Sequence, residues 1–196
     1  MSVQESNSSD DLPDGDDRPA SGVDIPNSSL PELEQHVEVT AATASPVDAW
    51  EQLRELSVGR MQSIRYSNDT RIRWGRLALS AISKKSTLAA DDHLKLAAES
   101  VRVRSYMIQE FGVSESNEVR NPTALYAYII GNIGMSPTEA ALMATNWRNA
   151  PREQMLRLRR AKNMIAPLAA IQGILGEYGP IHPDIAAWLT LIPRLP

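Results

Sequence analysis

From residue 45 onward the chain opens its segments in one repeated way: Ser45-Pro46, Asn121-Pro122, Ser136-Pro137 and His182-Pro183 each set a proline directly behind a polar residue. Proline suits the first helical position, where its missing N–H would have had no partner, and Ser or Asn before it can cap the open amides of the first turn. Asp48 follows Ser45, and Glu139 follows Ser136, at the three-residue spacing of a reciprocal cap. Stops are written as plainly. Gly112 closes a run that begins near 89 and ends at Phe111, Gly131 to Gly134 closes the next, and Gly179-Pro180 ends another after Tyr178.

Between these marks the apolar residues recur at helical spacing: Trp50, Leu53 and Leu56; Leu77 and Ala81; Leu94, Ala97, Ala98, Val101, Ser105 and Ile108; Leu125, Tyr128 and Ile129; Ala140, Met143, Ala144 and Trp147. Only "VEVTA" at 37–41 has the look of an extended segment. The pattern predicts an all-α fold, a compact helical bundle of about six to eight helices with short connections. No fixed-period repeat is present, which disfavours a solenoid.

The bundle is expected over 46–196. Residues 1–45 carry no aromatic side chain, many Ser, Asp and Pro, and no sustained apolar period. Such a segment buries too little surface to offset the entropy of ordering it, so it is expected to be a disordered acidic arm, with a weak helix signal around Pro31 to Val39. Its two readings are a solubilising tail, or a regulatory arm that contacts a neighbouring subunit or competes with nucleic acid. For the rest, 196 residues at 42% hydrophobic composition suit one domain with a single core.

Charge divides the chain at the same place. Residues 1–46 hold one basic residue, Arg18, against ten acids, and the remainder holds 19 Lys and Arg against 14 Asp and Glu. The overall charge of −4 therefore describes neither part, and the basic part is the one suited to attract phosphate.

Several function classes lose ground on composition. There is no cysteine, hence no disulfide scaffold, thiolate metal site or cysteine nucleophile. His36, His93 and His182 stand far apart and outside metal-ligand spacing. No G-x-S-x-G, P-loop or G-x-G-x-x-G occurs, and "GNIG" at 131–134 reads better as a helix stop. Neither an enzyme nor a cofactor or metal site is expected. No stretch reaches the roughly 18 apolar residues of a bilayer span, and the first residues are acidic where a secretory signal is basic, so a soluble intracellular, cytoplasmic protein without membrane contact is expected.

The basic residues fall in three clusters. "RNAPREQMLRLRRAKNM", 148–164, holds Arg148, Arg152, Arg157, Arg159, Arg160 and Lys162. On a helix beginning at Pro151, Leu158, Ala161 and Ile165 share one side while Arg152, Arg159 and Arg160 lie opposite, and Glu153 is the sole acid within the cluster. "RIRWGR" sets Arg71, Arg73 and Arg76 around Trp74, and "VRVRSY" sets Arg102 and Arg104 beside Tyr106. Arginine for phosphate and aromatic rings for base stacking are the combination that holds single-stranded nucleic acid. The plainer readings are a hydrated helix face for the arginines and core positions for Trp74, Trp147 and Tyr106.

Polar arm first, helical arginine-bearing core second: this layout, carried by "RIRWGR", "VRVRSY" and "RNAPREQMLRLRRAK", resembles the coat, or nucleocapsid, proteins of flexible filamentous plant viruses. The chain departs from those cores in lacking their Phe-Asp pairing; Phe111 is its one phenylalanine. The resemblance implies a structural protein of the virion, single-stranded RNA held in a basic groove, and homo-oligomers linked through arm and core. Two other readings use the same arginines. A DNA-binding helix-turn-helix, as in a regulator or phage packaging adaptor, would take "SPTEAALMATNW" as first helix and "PREQMLRLRRAKNM" as recognition helix, presenting Arg152, Gln154 and Arg157 to bases. A helical scaffold binding an acidic protein is the third.

Overall fold

The computed structural model describes residues 23–89, 92–113 and 122–195. Within them the fold is all-α, as expected, with nine helices and no strand. They run α1 Leu30–Val39, α2 Val47–Gln62, α3 Asn68–Leu88, α4 His93–Phe111, α5 Pro122–Ile133, α6 Pro137–Thr145, α7 Arg152–Ala169, α8 Gln172–Gly176 and α9 Pro183–Leu191.

Helix ends follow local chemistry. Ser136 caps α6 by accepting the Glu139 N–H at 3.1 Å, and His182 caps α9 by accepting the Asp184 N–H on Nδ1 at 3.2 Å. Gly112 ends α4 at φ 77° and Gly134 follows α5 at φ 62°, a left-handed region that favours glycine. The Ser45 signal is off by one residue: Pro46 is itself the cap of α2, and no side chain accepts from the first turn there. Asn121, expected to cap α5, lies outside the described residues.

The acidic arm departs from the disorder expected of it over 23–45, while the helix signal around Pro31 to Val39 corresponds to α1. Its residues 1–22 lie outside the described part, but order begins well before Pro46. Leu30, Leu33 and Val37 make a helical stripe that is buried in α1, and "VEV" is therefore helical and not extended. The Glu32 carboxylate accepts the Ser29 N–H at 2.7 Å and starts the helix. Across the interface, Arg73 of α3 donates Nε to Glu34 at 2.9 Å. Beyond α1, the Trp50 indole donates to the Ala42 carbonyl at 2.9 Å and pins the connector. Three apolar side chains were too few to mark the segment by composition, yet together they close one side of a core.

Two groups of buried side chains lie on either side of α4. One joins α1, α2 and α3 to Leu96, Val103 and Met107 of α4; the other joins α5 to α9 to Ala97, Val101 and Ile108 of the same helix. Where α2, α3 and α4 meet, Gly75 allows close approach: a Cβ there would stand 2.6 Å from the Met107 sulfur. A charged network ties the same three helices. Glu51 accepts from Arg54 at 2.7 Å and from the buried Lys85 at 2.8 Å, and Arg54 reaches Glu99 of α4 at 3.5 Å. Arg54, with Lys85, holds the Glu51 carboxyl down to about 2 against the opposing effect of burial.

Two outcomes follow. Leu33→Ala should cost about 2–4 kcal/mol in urea unfolding; an unchanged midpoint would mean that α1 does not belong to the core. Because the Glu51 pKa is lowered in the folded state, its stabilisation is present above its ordinary value of 4.5 and is lost as pH falls toward 2. Glu51→Gln should therefore destabilise at neutral pH, by about 1–3 kcal/mol, and the difference from the parent should shrink in acid titrations.

Candidate nucleic-acid interface

The three basic clusters separate once they are placed on helices. Arg71 is structural. It is only 6% exposed, and its guanidinium donates to the Met61 carbonyl at 2.9 Å, to the Tyr106 hydroxyl at 2.8 Å and to Glu110 at 3.0 Å. It also lies 4.9 Å from the centre of the Phe111 ring. Arg71 thus binds the end of α2 to α4, and Tyr106 is engaged as its acceptor, so neither is available to a ligand. Trp74 is buried in the core beneath Arg60, and Arg73 is paired with Glu34 of α1. Arg76 lies half-buried with Arg73 and Lys84 in a cleft of about 480 Å³ between α1 and α3, where Glu34 and Glu38 also face. Within "RIRWGR", Arg71 and Trp74 are thus buried, Arg76 is half-buried, and Arg73 is exposed but paired with Glu34.

The second cluster splits in two. Arg102 and Arg104 are two residues apart, about 200° around a helix. Arg102 is exposed toward α7, whereas Arg104 is half-buried on the opposite edge of α4, toward α3 and α5.

The third cluster keeps its face. Leu158, Ala161, Met164, Ile165 and Leu168 bury one side of α7, and Arg152, Arg159 and Arg160 stand exposed on the other. None of these three makes an ion pair or hydrogen bond to another described residue. Their neighbours are engaged. Arg157 donates to the Gly134 carbonyl at 3.0 Å and sits 3.4 Å from Glu139, and Lys162 donates to the Leu195 carbonyl at 3.0 Å. Arg148 lies over the ring of Trp147, which is 43% exposed and not in the core where its spacing would place it.

Between α4 and α7 runs a cleft of about 300 Å³ in which Arg160 and Asn163 of α7 face Lys95, Ala98 and Arg102 of α4. Asp92 and Glu99 also line it, but Glu99 is drawn toward Arg54. Lys95 and Asn163 have no place in the three basic clusters. Lys95 lies seven residues before Arg102, and Asn163 three after Arg160, so each shares a helix strip with a cluster member. The surviving cationic surface is the outer face of α7 with the facing edge of α4: Arg152, Arg159 and Arg160, with Arg102 and Lys95 across the cleft. Leu156 on α7 and Leu142 on α6 are exposed apolar side chains.

No family model, curated protein or solved structure matches this chain. Among the described residues no helix is long and apolar enough to cross a membrane.

Arg71→Ala should cost about 1–3 kcal/mol of stability, because it leaves the Met61 carbonyl and the Tyr106 hydroxyl without their donor, while the exposed Glu110 carboxylate returns to water. A variant that unfolds at the parental denaturant concentration would return Arg71 to the list of surface contacts.

Proposed function

We propose that the protein binds single-stranded RNA through the outer face of α7 and the α4–α7 cleft, and assembles along it in the manner of a coat or nucleocapsid protein. The observation that carries this reading is the set of three exposed arginines on one helix face, Arg152, Arg159 and Arg160, with no carboxylate among the described residues matched to them. Cations left unpaired on a common face keep their full attraction for phosphate, whereas those already paired would have to give up a partner first. Arg102 and Lys95 extend the positive surface across the cleft, and Arg148 over Trp147 offers a cation and a ring together, as stacking sites on single strands do.

A groove that follows a backbone needs no base-specific geometry, which suits sequence-tolerant binding. The layout of polar arm and helical core supports the assembly part, as does the exposed apolar surface at Leu142 (66%), which a neighbouring copy would cover. The helix-turn-helix alternative is less favoured. Arg157, one of its three base-reading residues, is turned back onto Gly134 and Glu139.

Fluorescence polarisation with a labelled polyuridine oligomer and with duplex DNA tests the reading. The parent should favour the single strand, and its affinity should fall steeply with salt. Replacing Arg152, Arg159 and Arg160 by Glu should weaken binding at least tenfold and lessen the slope of log K against log salt by about 2, at about 0.7 per lost phosphate contact, without lowering the thermal midpoint. Preference for duplex DNA with a salt-resistant component would favour the helix-turn-helix instead, and no binding to either would reject both. Filaments or rings on addition of RNA, seen by negative-stain microscopy, check the assembly part.

A further inference from the structure

We infer that the protein carries a second anion site, separate from the α7 face, in a small pocket between α3, α4 and α5 built around Arg104, and that its ligand is a phosphate group. The inference does not depend on the RNA reading. It rests on a cavity of about 190 Å³ whose lining combines Arg104, His93, Ser83, Ser86, Ser100 and Tyr128 over an apolar floor of Leu79, Ile82, Leu96 and Ala97.

The construction follows from three helices meeting. Leu79, Ile82, Ser83 and Ser86 recur at helical spacing on α3, and His93, Leu96, Ala97, Ser100 and Arg104 do so on α4, so each presents one continuous strip to the pocket. Tyr128 of α5 completes the wall. None of the described residues lining it is acidic, unlike those of the α1–α3 and α4–α7 clefts, which include Glu34, Glu38, Asp92 and Glu99.

Arg104 is the decisive group. It is half-buried and forms no hydrogen bond or ion pair with another described residue, whereas three other cations in this half of the molecule each have an acceptor: Arg71 has Glu110, Lys85 has Glu51, and Lys84 has the Thr40 carbonyl. A guanidinium partly removed from water above an apolar floor loses hydration that nothing in the pocket restores. An anion restores it, and a planar fork of N–H donors matches two oxygens of a phosphate at once.

The remaining donors agree. Asn132 donates Nδ2 to the Tyr128 carbonyl at 2.7 Å, so its Oδ1 is the acceptor of His93 Nε2–H at 2.7 Å, which fixes the ring at the pocket edge. Ser86 donates its hydroxyl to the Ser83 carbonyl at 2.8 Å, leaving the Ser83 and Ser100 hydroxyls as the serine donors for a ligand. The volume lies below the roughly 300–1,000 Å³ of pockets that enclose drug-sized ligands. It suits a single phosphate group with little attached to it inside.

Isothermal titration of the full chain with inorganic phosphate tests the site, with Arg104→Met as the main variant, Arg104→Lys as the conservative one and Arg65→Met, at an exposed arginine between α2 and α3, as the control. Phosphate should bind the parent and the Arg65→Met protein alike, at least tenfold more weakly to Arg104→Met, and at intermediate strength to Arg104→Lys. Since Arg104 makes no tie to another described residue, all three variants should keep the parental thermal midpoint, which separates a lost site from a lost fold. The same proteins titrated with polyuridine distinguish two sources of phosphate. Reduced RNA affinity in Arg104→Met assigns the pocket to a backbone phosphate, and unchanged affinity assigns it to a small phosphorylated molecule. Failure of phosphate to bind the parent, or equal binding by Arg104→Met, would overturn the site.

Discussion

One helix burying two faces at once is the constraint on which the rest of this structure depends. α4 gives Leu96, Val103 and Met107 to the core shared with α1, α2 and α3, and Ala97, Val101 and Ile108 to the core shared with α5 through α9. A helix so used keeps only two narrow edges for polar side chains. On one edge stand Lys95, Glu99 and Arg102, and on the other His93, Ser100 and Arg104. The position of every candidate binding group on α4 is thus fixed by the residues that flank it in the two cores, and an anion site on one edge is physically distinct from a site on the other.

The arginines sort by the same logic. Where a helix packs against neighbours that carry carboxylates or free carbonyls, its cations are drawn inward and become ties between elements, as with Arg71 to Glu110 and Arg54 to Glu99, while Arg73 meets Glu34 at an exposed rim. Burial raises the strength of such ties because competing water is removed, and it makes them costly to break. Among the described residues nothing packs over the outer face of α7. Arg152, Arg159 and Arg160 remain open there, and the proposal of polyanion binding rests on them and not on the number of arginines in the chain.

α1 shows how a segment of unpromising composition can still fold. By itself it offers Leu30, Leu33 and Val37 among acids and serines, which is too little apolar surface for independent order. Docked on α3, those three side chains are buried, and Glu34 meets Arg73. The arrangement also sets acidic Glu34 and Glu38 over Arg73, Arg76 and Lys84, so part of the charge segregation along the chain is cancelled in space.

Local chemistry was legible in the residues themselves. Helix as the class of structure, the serine cap at 136, the glycine stops at 112 and 134, and the two-sided character of α7 all depend on contacts within a turn or two, which spacing along the chain specifies. What the sequence could not determine is where each basic side chain ends up. Arg71, Arg102, Arg104 and Arg159 look alike in one dimension, and whether a carboxylate lies within reach depends on residues up to 39 positions away in the chain. That choice between an internal tie and an open cation belongs to helix packing, and only the tertiary structure made it.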